Sequence, residues 1–371
     1  MNTLFKIIKK KIEENSGFIS FEEYMNLCLY HPYLGYYERN STVSGKKGDY
    51  YTNVSVGSLF GYLLAFKFSE FLDNFKQQKN IYLVESGAHD GQLACDILDW
   101  LSKYSPELFD KIRYLIIEPS LKRREWQQNK LSIYKPKIIW CSSFLEAANY
   151  LHKNESKCGV VDGIIFSNEL LDAFPIHRLF WDKKEQLWYE TGVTCKNNEL
   201  EFIKIDLSES CNEFLKKIDS RVMEIIPDGF VFELSTMAIK WWKEAANILR
   251  YGKLIAFDYG FESPGFLNPL FPSGTLRAYQ KHHSTTNVLI SPGEQDLTAD
   301  VNFSMIIKAG EDCDLTTEYF GSQELFFSGI VEKLSENEFP EWFTNNFSQF
   351  KTLTHPEHLG RQIKVLVQSK K

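Results

Sequence analysis

The 371-residue sequence has no C-x-x-C pair, and its seven cysteines, at 28, 95, 141, 158, 195, 211 and 313, are odd in number and irregularly spaced. This argues against a disulfide framework or a structural zinc site and points to a reducing, cytoplasmic setting. No apolar run approaches the roughly 18 residues that suggest a membrane span. A basic stripe is also missing. Asp and Glu number 49 against 42 Lys and Arg, for a net charge of −7, which speaks against a nucleic-acid partner. Repeats and low-complexity stretches are absent. The short lysine patch from Lys6 to Lys11 alternates with Ile7, Ile8 and Ile12 and is followed by Glu13 and Glu14. That pattern fits the exposed face of a first helix, because a targeting peptide would be rich in Arg and poor in acids. His355 and His358 flank Pro356, which disfavours a helix that could hold a metal pair, so no metal is expected.

What is present is an alternation of buried runs and helical segments. The first 75 residues are mostly helical. Ser20 stands before Phe21, Glu22 and Glu23 as an N-cap with acids in the first turn. Leu34 to Val54 carries Gly35, Gly45 and Gly48 and is expected as a loop, and Leu59 to Phe75 is apolar at helical spacing. From residue 81 five short apolar runs follow: Ile81–Val84, Arg113–Ile117, Lys137–Cys141, Val160–Phe166 and Gly252–Phe257. Buried runs separated by helices imply a parallel sheet with crossover helices. Residues 178–207 break the rhythm as antiparallel strands with a turn at Asn197-Asn198. Residues 259–312 are a Gly- and Pro-rich excursion, and Arg361–Gln368 is the expected final strand at the sheet edge.

The chemistry should sit where the runs end. The first run leads into Glu85, Ser86, Gly87, Ala88, His89, Asp90 and Gly91, a glycine turn that lets a ligand approach the backbone. The dinucleotide pattern G-x-G-x-x-G is absent, and His89 stands where a second glycine would be, which argues against a nicotinamide oxidoreductase. The second run ends in Glu118, 31 residues after Gly87, placed to accept ribose hydroxyls. The fourth run enters Asn168-Glu169-Leu170-Leu171-Asp172. A helical turn there would put Glu169 and Asp172 on one face, beside Asp258 at the end of the fifth run. Such a carboxylate cluster suits a cationic substrate.

The order of these pieces resembles the MidA family of methyltransferases. The resemblance rests on Tyr24-Met25, Leu29-Tyr30-His31-Pro32 with Gly35-Tyr36-Tyr37, Gly48-Asp49-Tyr50-Tyr51-Thr52, the Gly87 turn and Glu118-Pro119-Ser120. It continues through Asn168-Glu169 with Asp172-Ala173, Asp258-Tyr259-Gly260, Gly274 to Tyr279 with His282, and Pro292 to Thr298. It implies S-adenosylmethionine as cofactor and a protein arginine as acceptor, with a respiratory-complex subunit or assembly partner as the protein substrate. The chain departs from the family at His89, where a further Gly is usual, and at Asp300 and Asn302, where His and Asp are usual.

The expected architecture is a Rossmann-like α/β fold of seven strands. Residues 1–75 form a helical segment with a cofactor-covering loop, and 76–371 form the catalytic domain, with insertions at about 178–250 and 259–312. The cofactor set is Gly48, Asp49, Tyr50, Thr52, Glu85, Gly87, Ala88, His89, Asp90, Gly91, Glu118, Pro119, Ser120, Ser142, Ser143 and Asn168. The catalytic set is Asn168, Glu169, Asp172, Asp258 and His282. A cofactor-binding assembly factor without turnover is the alternative.

Overall fold

A computed structural model describes residues 3–38, 52–75, 78–154, 159–219, 221–263, 267–280, 283–335 and 338–371. The central sheet is built from Ile81–Ser86 (β1), Ile112–Ile117 (β2), Ile138–Cys141 (β3), Val161–Asn168 (β4), Leu249–Phe261 (β5), Thr316–Ser322 (β6) and Ile363–Lys370 (β7). Their order across the sheet is β6-β7-β5-β4-β1-β2-β3, and a two-residue strand, Val301–Asn302, pairs in parallel with the last residues of β5. β1 to β5 are parallel, as the alternation of runs and helices requires.

The inner strands bury both faces over most of their length because their side chains alternate between two layers. In β1, Ile81 and Leu83 join one core, packed beneath the helices Leu59–Phe71, Gln92–Tyr104 and Gln323–Leu334. Tyr82 and Val84 join the other, beneath Phe144–Asn154 and Thr236–Ile248. The sheet is thus the middle of three layers.

The final strand corrects the expectation for Arg361–Gln368. β7 is not at the edge: it lies between β5 and β6, antiparallel to both. The edge is β6, whose alternating partly exposed residues gave no apolar run to detect.

The insertions form two smaller sheets. Leu187–Lys196 and Glu199–Ile205 pair as the expected hairpin, with Asn197 and Asn198 at φ +50° and +64°, the left-handed pair that a two-residue turn needs. The excursion after β5 holds Arg277–Gln280, His283–Thr285 and Asp296–Thr298 as a three-stranded sheet. At the N-terminal helix Phe21–Tyr30, Ser20 Oγ accepts the Glu23 amide at 3.1 Å, the expected cap. This helix shares a core with Ile176, Val193, Ala278 and Leu297 from both insertions.

Candidate active site

The carboxyl ends of β1 to β4 open onto a cavity of about 530 Å³. After Ser86 the chain reverses through Gly87 at φ +78°, and a Cβ there would stand 3.1 Å from Leu170. His89, at φ +47°, also holds a left-handed conformation and offers its carbonyl to Gln127 Nε2 at 3.0 Å. Gly91 is the N-cap of Gln92–Tyr104 and does not line the cavity, whereas Glu85, Gly87, Ala88, His89 and Asp90 do. Burial acts to raise the Asp90 pKa, but bonding to His89 and Lys130 outweighs it and holds the carboxyl well below its ordinary range. Burial pushes Glu85 up to about 8, against the hydrogen bond it accepts from Tyr114 at 2.6 Å.

Glu118 follows β2 and is only 2% exposed. Its Oε1 accepts the Ser120 amide at 2.9 Å and Arg123 Nε at 3.0 Å, and Gln127 Nε2 lies 3.3 Å from Oε2. The carboxylate is therefore fixed at the cavity wall beside Pro119, while Ser120 caps the next helix and does not line the cavity. Ser142 and Ser143 line it beyond β3, both engaged locally with Glu146. Thr52 lines the opposite wall as the N-cap of Asn53–Val56. Gly48, Asp49, Tyr50 and His282 lie outside the described residues.

Glu169 corrects the expected helical turn. It sits at φ +50°, and residues 169–176 form a tight loop instead. Its Oε1 accepts the Asn53 amide at 2.8 Å and Asn168 Nδ2 at 3.2 Å, and Asn168 in turn accepts Asn53 Nδ2 at 2.9 Å. Asp258 is fully buried and lines neither this cavity nor its neighbour. Its Oδ2 accepts the Leu170 and Leu171 amides at 3.0 and 2.7 Å, so it holds the loop that carries Glu169. It is a positioning residue rather than one facing substrate.

A second cavity of about 600 Å³ adjoins the first. Among the described residues, Tyr37 and Glu169 line both. Asp172, Asp296 and Glu357 add carboxylates to it, and Tyr259 and Tyr279 add rings. Arg277 is also present, paired with Asp300 at 2.5 Å. Burial raises Glu169 to about 8, with a further push from Asp172. Asp172 is raised well above its ordinary range by burial and by Asp258, and burial lifts Asp258 to about 7. Burial thus biases Glu169 and Asp172 in this loop toward their protonated forms. Tyr37, Asp296, Tyr259 and Tyr279 were not foreseen as a group. Their only sequence signal is that each lies in or beside a motif carrying the family resemblance.

One further cluster was not foreseen. His177, Glu190 and Cys211 place three ligand-type atoms within 4.8 Å of one another in the inserted lobe. His177 Nδ1 and Glu190 Oε1 are 2.7 Å apart, and the Ser208 amide donates to Glu190 Oε2 at 3.1 Å. Burial would lower the His177 pKa, but bonding to Cys211 and Glu190 outweighs it and raises it to about 10. The cluster has the character of a buried ion pair.

A strand-end carboxylate, a glycine turn and apolar walls at Ile117, Phe144 and Trp241 suit a nucleoside cofactor with a flat base. Ser86 Oγ, buried at the cavity wall without a hydrogen-bond partner among the described residues, leaves a polar atom for such a ligand. The fold and site thus define a Rossmann-like methyltransferase rather than a dinucleotide enzyme. Residues 63–321 match the family described as "Putative S-adenosyl-L-methionine-dependent methyltransferase", and the chain belongs to that family.

Two relatives and one solved structure extend the comparison. A Caenorhabditis elegans protein named as a mitochondrial homologue of protein arginine methyltransferase NDUFAF7 is 29% identical over 331 residues, covering 82% of this chain and 71% of its own. The mouse protein arginine methyltransferase NDUFAF7 is 29% identical over 313 residues, covering 79% of this chain and 66% of its own. A Burkholderia thailandensis protein solved with S-adenosyl-homocysteine bound superposes with a TM-score of 0.81 at 25% identity, over 99% of this chain and 92% of that one. The relatives are named as mitochondrial, which overturns the expectation of a cytoplasmic protein. No described helix is long and apolar enough to cross a membrane.

Proposed function

We propose that this methyltransferase acts on a side-chain nitrogen of a protein arginine. The observation that carries the reading is the meeting of the two cavities at Glu169 and Tyr37. One cavity has the features of a cofactor site, and the other is walled by carboxylates and tyrosine rings suited to a planar cation. Names of the relatives favour the same acceptor. S-adenosylmethionine, when bound, supplies an electrophilic methyl group on a sulfonium.

Glu85, the Gly87 turn, Glu118 and Asn168 would hold the cofactor, with Thr52 and Ser142 closing the wall. The chain's remaining work is to position the acceptor and exclude water. A guanidinium keeps its proton in water, with a pKa above about 12, so an acceptor for that proton is needed as the new bond forms. Glu169 meets the requirement. Its Oε1 is committed to Asn53 and Asn168, which leaves Oε2 to accept an arginine N–H. A guanidinium entering beside it would favour the ionised carboxylate, because a buried charge is tolerated only when paired. Asp172 and Asp296 would take the remaining N–H groups.

The acceptor protein is a respiratory-complex subunit or assembly partner on this reading. The test incubates the purified protein with cofactor labelled at the methyl group and a lysate of the host. A labelled band whose peptides carry methylarginine supports the proposal. Cofactor binding without any label would instead favour an assembly factor without turnover, and label on another residue type would remove the arginine reading.

A further inference from the structure

Residues Tyr36–Glu38 make a single 3-10 turn, and its last two side chains serve different cavities. The Tyr37 hydroxyl donates to Asp296 Oδ1 at 2.7 Å, and Asp296 lines only the second cavity. Glu38, 8% exposed, accepts from Ser120 Oγ at 2.8 Å and lies 3.7 Å from Arg123 Nη2. Those two residues, together with Gln127, fix Glu118, through the Ser120 amide and Arg123 Nε. Glu118 lines only the first cavity. Polar contacts therefore run from Asp296 to Tyr37 and from Glu38 to Ser120, Arg123 and Glu118, joined by the backbone of the turn between Tyr37 and Glu38.

The turn is well braced. Tyr36 is 1% exposed, and its ring meets that of Tyr37 at 5.3 Å. The Tyr30 ring lies 5.5 Å from Tyr37 on the other side, and its hydroxyl donates to the Ala173 carbonyl at 2.9 Å in the loop after Glu169. A stiff link of this kind cannot yield at one end without moving the other. We infer that the Tyr36–Glu38 turn is a strut that couples the two cavities, so that cofactor and acceptor each favour the binding of the other. Tyr37 and Glu38 are then positioning residues, acting through Asp296 and Glu118. The coupling must be reciprocal, because it is a single free energy shared between two sites.

This inference rests on the reading of the cavities as cofactor and acceptor sites, but its test needs only S-adenosylhomocysteine. Calorimetry should show that Asp296→Ala weakens S-adenosylhomocysteine binding roughly fivefold, the lower end of ordinary coupling between sites. Asp296 does not line the cofactor cavity, so a residue serving only the acceptor cavity would leave this affinity unmoved. Asp296→Asn keeps an oxygen for the Tyr37 hydroxyl and should bind as the parent does. Tyr37→Phe should match Asp296→Ala, and the double variant should be no weaker than either, since both cut one link. An Asp296→Ala affinity within about 1.5-fold of the parent would overturn the strut. So would equal weakening in Asp296→Asn, which would mean lost charge, or effects that multiply in the double variant. If Asp296→Ala does not fold, Asp296→Ser, whose shorter side chain also withdraws the acceptor from the Tyr37 hydroxyl, takes its place, since Tyr37 itself lines the first cavity. A separate titration of the parent with N-acetyl-arginine amide, with and without S-adenosylhomocysteine, addresses the acceptor reading. No amide binding, with Asp296→Ala still weakening S-adenosylhomocysteine, keeps the strut and removes that reading.

Discussion

The two cavities are assembled by different means. Much of the first is made of the ends of β1, β2 and β4 and the turns that follow β1 to β4, so those polar groups are placed by the sheet itself, while the helix Thr236–Ile248 and the N-terminal segment add the rest of the wall. The second collects Tyr37 and Val56, Glu169 and Asp172 from the loop after β4, Tyr259 near the end of β5, four positions between 277 and 298, and five between Thr352 and Gln362. Most of those pieces come from an N-terminal turn, an excursion and a C-terminal wall. Ligand sites in open α/β sheets lie at the carboxyl edge, and variable loops around them carry specificity. On the proposed assignment of the cavities, the difference ties cofactor recognition to the fold and acceptor choice to added segments that can change without disturbing the sheet. Glu169 belongs to both.

That division can be broken first at Glu169. Glu169→Gln keeps size and removes charge, and methyl transfer should fall about a hundredfold, the scale for a positioned acid–base group. S-adenosylhomocysteine affinity should stay within about twofold. Parental turnover in this variant, measured with labelled cofactor, would separate the carboxylate from the chemistry. Next comes Glu118, which faces only the cofactor cavity. Glu118→Ala should cost about 2 kcal/mol of S-adenosylhomocysteine binding, roughly thirtyfold, as expected for bonds to a charged group. Calorimetry showing an unchanged affinity would detach Glu118 from the cofactor.

A third test uses pH. Burial raises Glu169 to about 8, so most of the empty enzyme carries it protonated at neutral pH. The acceptor site needs the ionised form, so kcat/KM for the acceptor should rise about tenfold from pH 7 to 9. Cofactor affinity should change far less, and the rise should be absent in Glu169→Gln. Folding stability should move the opposite way. A carboxyl raised in the folded state contributes fully below its unfolded value and loses that contribution as pH passes about 8. The smallest effect belongs to Glu357, exposed at the second cavity's rim. Glu357→Gln should change the acceptor KM by less than about twofold, since exposed charges are screened, and should leave S-adenosylhomocysteine affinity untouched. A large loss of cofactor binding in this variant would erase the division between the cavities.

Legibility in the sequence follows the same line. The runs ending at Glu85, Glu118 and Asn168 were readable because a buried parallel strand is a local apolar pattern with a turn behind it. The hairpin at Asn197-Asn198 was readable for a similar local reason. Glu169 was misjudged as entering a helix because a non-glycine residue at φ +50° has no strong sequence mark. Asp258 was foreseen at a strand end, but β5 continues to Phe261, and the acceptance of two loop amides by Asp258 depends on chain packing that spacing does not reveal. The Tyr37–Asp296 bond joins residues more than 250 positions apart, and no local period can announce such a pair.

The inner position of β7 has a consequence during synthesis. β5 ends at Phe261 and its antiparallel cover begins at Ile363, so about a hundred residues separate an apolar strand from the partner that closes its edge. At ordinary translation rates of about 5–20 residues per second, that edge stays open for roughly 5–20 seconds in the nascent chain. An open edge rich in Leu254, Ile255 and Phe257 is a template for pairing with other chains. The growing polypeptide is therefore most vulnerable to aggregation well after its cofactor-facing strands have been made, and a holdase acting in that interval would protect it.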